Sequence, residues 1–352
     1  MRQSKGLLAA AGTASSGPGA LACAHLSSPW ISVYPWEDAT GFGTKYANPS
    51  TLPANSGYGV AFSPDGSVIA VSHLSSPYVS VYPWSNSTGF GTKYSDPATL
   101  PGSNGEDVVF HPSGNSIAIL TDSSPFIRVY AWSNSTGFGS LYSNPSTLPA
   151  GKGGSVKFSP SGNDIILAIG TSPYQAAYPW SNSTGFGTKY SNPSAGIGGT
   201  FCDGCSFHPS GNDIAFANGY TAQAYPWTSG TGYGTKYSSP SLSNGPTLSC
   251  SFSPSGNDIV YAARNGPPQA IVFPFTSGTG FGTKYANPST TVTGDGYDVK
   301  FSTTGGAIAI ANLGSTELLA YEFTSGSGFG SKYSDPATLP TFYGLAVAFN
   351  KG

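Results

Sequence analysis

Cys202-Asp203-Gly204-Cys205, with His208 just after it and Cys250 farther on, is where metal-binding residue types gather in this 352-residue chain. Cys and His at such spacing are a zinc donor set. If Gly204 to His208 is extended, however, Cys205 and His208 point to opposite faces. Cys205 and Cys250 also stand where related segments carry valine, the place of a small buried hydrophobe. Buried thiols are therefore expected and no metal site; a disulfide at Cys202 and zinc ligation stand as alternatives. His25, His73, His111 and His208 fall at different points of a repeated pattern and cannot all serve one proton-transfer site. Asp107, Lys157, Asp298 and Lys300 offer acid and base groups at unmatched levels, which reads as ion pairs or solvated linings of the channel. No catalytic residue and no cofactor follow from this set.

The pattern that positions these residues is a repeat. Gly-(Phe/Tyr)-Gly-(Thr/Ser)-(Lys/Leu)-Tyr begins at Gly41, Gly89, Gly137, Gly185, Gly232, Gly280 and Gly328, a period of 47 or 48 residues. Such a period, made of short apolar alternations punctuated by Gly and Pro, is that of propeller blades. In the copy from Asp107, Asp107–Phe110, Ser116–Leu120 and Phe126–Trp132 read as strands, and an outer strand runs from Gly137 to Tyr142. The proline of Tyr-Pro-Trp (Pro35, Pro83, Pro179, Pro226) is expected at the frayed end of the third strand. Val108 and Phe110, repeated as Val156 and Phe158 and in the other copies, are expected to form the core between blades. Phe42 with Tyr46, and the same pair in other copies, reads as packing between outer strands.

The first unit lacks a clear inner strand while the chain ends in one, Ala346-Val347-Ala348-Phe349. The expected fold is therefore all-β: a seven-bladed β-propeller of four-stranded antiparallel blades, closed by the C-terminal strand in the first blade. Residues 1–18 are assigned to an N-terminal arm and 19–352 to the propeller. Met1 to Ala11 only faintly imitates a signal peptide, and the arm is expected to be held against either this domain or a neighbouring subunit.

The run Val60-Ala61-Phe62-Ser63-Pro64-Asp65-Gly66-Ser67-Val68-Ile69-Ala70-Val71 resembles the first two strands of a WD-repeat blade, and Ile127 to Trp132 resembles the third. The chain departs from that family in lacking its Gly-His and Trp-Asp pairs, so the family's buried hydrogen-bond network does not carry over. The cassette Tyr178 to Pro193 is similar to WD-like repeat proteins of tailed bacteriophages and environmental bacteria. That resemblance implies a non-enzymatic virion structural, tail-associated or host-attachment protein located in the virion, with other virion proteins or a cell-surface receptor or glycan as partners. The alternative is a secreted or bacterial surface propeller that binds a glycan or protein. Metal-dependent lactonase-like propellers gather carboxylates or histidines at one end of the channel, and no such ring is apparent in the sequence.

Composition narrows partners further. Charged residues are 9% and the net charge is -2, which gives no electrostatic pull toward nucleic acid. No apolar run approaches the roughly 18 residues of a membrane helix, so no membrane insertion is expected. Among the copies, the turns joining second to third strands and the loops leading into each first strand vary most, and propeller geometry puts both on one face. His73, Asp122, Lys152, Tyr220, Arg264, Asp295 and Glu317 are the candidate binding residues of that face.

Overall fold

The computed structural model describes residues 18–197, 202–240, 242 and 245–352, so the expected arm lies outside the described residues except for Pro18. Seven four-stranded antiparallel sheets stand around an axis. Blade three shows the plan: Gly105–Phe110 innermost, then Ser116–Thr121, Ile127–Ser133 and Gly137–Leu141. Val108 lies opposite Ile119 and Phe110 opposite Ile117. Every residue of Ser116–Thr121 is buried, as an Ile-Ala-Ile-Leu run demands when both faces of a sheet are covered by neighbouring blades. Val156 and Phe158 of blade four pack with Ala118, Leu120, Ile127 and Val129 of blade three, forming the expected core between blades.

The C-terminal strand Gly344–Asn350 pairs antiparallel with Gly19–His25, placing Val347 opposite Cys23 and Phe349 opposite Leu21. The ring is thus closed by hydrogen bonds between the two ends of the described chain.

The prolines lie inside the third strands rather than at frayed ends: Pro35 pairs with Ala20 and Pro83 with Val68. Their cost falls on the outer strand, toward which a residue here would otherwise donate. Proline has no N–H to give, and in the blades with Pro35, Pro83, Pro179, Pro226 and Pro274 the outer strand is only two residues long. Blades three and seven carry Ala131 and Glu322 instead, and there it extends to five residues. The expected aromatic pairing is also corrected, beside short and long outer strands alike. Phe42 lies against Trp36 of its own blade at 5.0 Å, whereas Tyr46, beyond the strand, crosses to Trp84 of the next blade at 4.9 Å. The first glycine of each cassette has positive φ, as at Gly89 (81°), and packs where a Cβ would meet the previous blade's tyrosine, here Tyr46 at 3.3 Å. The recurrent cassette is a joint between blades.

Buried aspartates add a second joint. Asp164 of blade four accepts from the Tyr190 hydroxyl (2.6 Å) and from Nε1 of Trp227 in blade five (3.3 Å). Asp213 and Asp258, one and two blades on, keep the tyrosine bond (2.6 and 2.7 Å), but Oδ2 of each is buried without a partner. Phe275 and Phe323 stand where Trp227 does, and phenylalanine donates nothing. In blade five the adjacent His208 ring lies 6.0 Å from Phe275, whereas blade six has the small Ser253 at that position, so Phe323 is the cleaner test. Phe323→Trp is expected to raise stability by about 1 kcal/mol by satisfying Asp258. The measurement is the urea midpoint at unchanged slope; a gain that persists in Asp258→Ala would contradict the bond.

Candidate functional site

A cavity of about 650 Å³ runs along the axis, lined by the inner strands. Near their starts most of these strands carry an irregularity. The register to the second strand shifts between Gly57 and Gly59, Gly105 and Asp107, Gly153 and Ser155, Thr247 and Ser249, and Gly296 and Asp298. A bulge re-aims the extra residue. The bulged residues Tyr58, Glu106, Gly154, Leu248 and Tyr297 line the cavity at this end, together with Asp203 and Leu345 at the equivalent places of the other two inner strands. Gly154 is required by close approach, since a Cβ there would lie 2.6 Å from the backbone oxygen of Asp203.

Glu106 and Asp203 are the acids of this mouth. Burial pushes the Glu106 carboxyl above its usual range, and the Lys152 ammonium, 3.3 Å away, only partly offsets it. Burial raises Asp203 as well, opposed by the more distant Lys152 and Arg264. Among the described residues no hydrogen bond or ion pair engages the Asp203 carboxylate. Tyr297 is pushed up to about 12, chiefly by burial, and remains a protonated donor at neutral pH. One tier deeper, Asp107 accepts from Nζ of Lys157 (2.9 Å) and from the Val156 amide of the next blade (3.0 Å). Asp298 accepts from Nζ of Lys300 (2.5 Å), Ser249 Oγ (2.5 Å) and the Val347 amide of the closing strand (3.0 Å). Although burial disfavours its charge, these partners hold Asp298 below the ordinary carboxylate range. Asp107 and Asp298 are ion-paired staples between blades. A free, raised carboxyl in one small cavity with an ammonium and two phenols suits general-base chemistry on a small polar ring.

No protein-family model and no curated protein matches the sequence. Solved structures do match. Among them, the chain is similar to propellers named as lactonases. A candidate 6-phosphogluconolactonase of Bacteroides fragilis aligns with a TM-score of 0.74 at 11% identity, over 96% of this chain and 99% of that one. A candidate 6-phosphogluconolactonase of Bacteroides uniformis gives 0.73 at 14%, over 95% and 100%. The periplasmic gluconolactonase of Pseudomonas aeruginosa gives 0.70 at 13%, over 95% and 99%. At such identity the likeness shows the fold, along the whole ring. The lactonase names of these three neighbours run against the expectation of a non-enzymatic virion, tail or attachment protein, and against the alternative of a glycan- or protein-binding surface propeller.

The variable turns and loops do meet on one face, as when Asn104 donates to Asp122 and Asn55 to Ser75. Of the residues expected there, Lys152 lines the mouth. Arg264 pairs with Asp295 at 3.4 Å close by, Tyr220 is 62% exposed, and Glu317 has a buried, unpartnered Oε2. Tyr58, Glu106, Asp203 and Tyr297 are the mouth residues that the sequence reading did not assign. Cys23, Cys202, Cys205 and Cys250 are free, buried thiols, so the disulfide alternative at Cys202 does not hold. His208 spends its ring on Ser210 (2.7 Å) and the Gly256 carbonyl (3.1 Å).

His73 ends a second strand beneath the face, wholly buried, with Nε2 3.1 Å from Ser80 Oγ; His25 repeats this with Ser32. Burial lowers both from 6.5 to about 4. The unfolded chain thus takes up protons below pH 6.5 that the folded chain refuses until about 4. Stability is full above that window and falls as pH drops through it, by roughly 3 kcal/mol per histidine at most. Urea midpoints of wild type and His25→Gln/His73→Gln between pH 7 and 4 test this: the double variant should lose most of the slope.

Proposed function

We propose that the protein is a hydrolase of small polyhydroxy lactones, acting at the mouth of the axial channel. The observation that carries this reading is the Asp203 carboxyl, raised by burial and unengaged among the described residues, in the cavity that also holds the Glu106–Lys152 pair. Asp203 takes a proton from water as the water oxygen bonds to the acyl carbon. The Lys152 ammonium stabilises the negative charge that develops on the carbonyl oxygen. The acyl carbon–ring oxygen bond then breaks, and the leaving oxygen recovers the proton held by Asp203, giving a hydroxy acid. Tyr58 and Tyr297 supply hydrogen-bonding edges for ring hydroxyls, and Leu248 and Leu345 an apolar floor. The lactonase names of the structural neighbours support the reaction class, and the cavity volume suits a ring of that size. The test is acid release from glucono-1,5-lactone above the spontaneous rate, measured at several enzyme concentrations. A rate independent of enzyme for this and related five- and six-membered lactones refutes the proposal.

A further inference from the structure

The charges lining the channel carry a specificity argument that rests on the hydrolase reading for its substrate. Glu106, Asp107, Asp203 and Asp298 line the cavity against Lys152, Lys157 and Lys300. Each lysine is already paired, to Glu106, Asp107 and Asp298 respectively, which leaves Asp203 in excess. Arg264, the nearby cation beyond the lining, is held by Asp295. Nor do the described residues include a helix whose N-terminus would receive an anion. The turn residues at the far end of the cavity, Ser253, Pro254, Ser302 and Thr303, carry no charge.

We infer that the channel selects unphosphorylated lactones and rejects phosphorylated ones, with Glu106 and Asp203 as the discriminating residues. A phosphate monoester brings nearly two negative charges. To bind, it must either lie against the excess carboxylate or share a lysine whose charge its own carboxylate partner already offsets. Both work against the unwanted ligand without weakening the neutral one. Glu106 acts by occupying Lys152, and Asp203 by its own charge.

The experiment compares a neutral polyhydroxy lactone with its phosphate ester in turnover. In parallel, calorimetry compares the corresponding lactams, which do not hydrolyse under the assay conditions. The neutral member should be favoured by about tenfold or more in kcat/KM and in lactam affinity, as for a repulsion of a kcal/mol or two. Raising salt from 0.05 to 0.5 M should narrow the ratio, since part of it is screened charge. Glu106→Gln should also narrow the lactam ratio, by releasing Lys152. Equal or better binding of the phosphorylated lactam overturns the inference, as does a failure of both lactams to bind. Preferential binding of the neutral lactam without turnover of either lactone keeps the inference and removes the hydrolase reading.

Discussion

Asp203→Asn should lower kcat for lactone opening by about 10²- to 10⁴-fold, the usual worth of a positioned general base, while lactam affinity and thermal stability stay within a few-fold and a few degrees of wild type. The amide keeps the size and polarity of the side chain but cannot take a proton from water. The wild-type pH profile supplies an independent signature. Because burial raises Asp203, kcat should climb with pH through a group titrating above the ordinary carboxylate range. That limb should vanish in the variant, whose residual rate follows hydroxide alone. An Asp203→Asn variant with full activity and an unchanged profile would remove Asp203 from the chemistry.

Deleting residues 345–352 should abolish cooperative unfolding altogether. The closing strand covers Leu21, Cys23 and the rest of the inner edge of blade one, and its Val347 amide is a partner of the buried Asp298 carboxylate. Without it, the first blade exposes an unpaired apolar strand and Asp298 loses a bond it cannot replace with water. The combined loss is comparable to the whole stability of a typical domain, about 5 to 15 kcal/mol. Circular dichroism on heating should show a broad, shallow change in place of a single transition, and native-gel analysis should show association through the bare edge. A truncated chain that melts as wild type does would show that ring closure contributes nothing.

The fold was legible because the repeat states it seven times, and because the inner-strand motif at the C-terminus matches the one missing at the start. The mouth was not legible, for a definite physical reason. Strict alternation puts Glu106 on the same side as Val108, in the core between blades, and likewise Tyr58 with Val60 and Tyr297 with Val299. The register shift after the first residue breaks that alternation and turns those side chains to the axis. Nothing in Gly-Glu-Asp or Gly-Tyr-Asp announces a bulge, although aligning the copies does put Tyr58, Glu106, Asp203 and Tyr297 in one column, two places before the Val or Cys. The conspicuous cassette misled in the other direction. Its constancy reflects a glycine seated on a tyrosine ring at each blade joint, and the virion-like reading built on it does not survive the comparison with solved propellers. Asp107, Lys157, Asp298 and Lys300 read from the sequence as ion pairs or solvated linings, and the structure pairs each acid with a lysine on its own or the neighbouring inner strand.

Because each blade contributes one residue from the entry of its inner strand to the mouth, the chemistry of the channel is specified largely apart from the stability of the ring. Apart from Gly154, which close approach requires, those positions can be exchanged singly or together while the valines, phenylalanines and glycines that hold the blades remain untouched. A combinatorial library over one column of the internal alignment would therefore sample new catalysts on an unaltered frame. The same independence gives natural variation a route to change substrate without first passing through an unfolded ring.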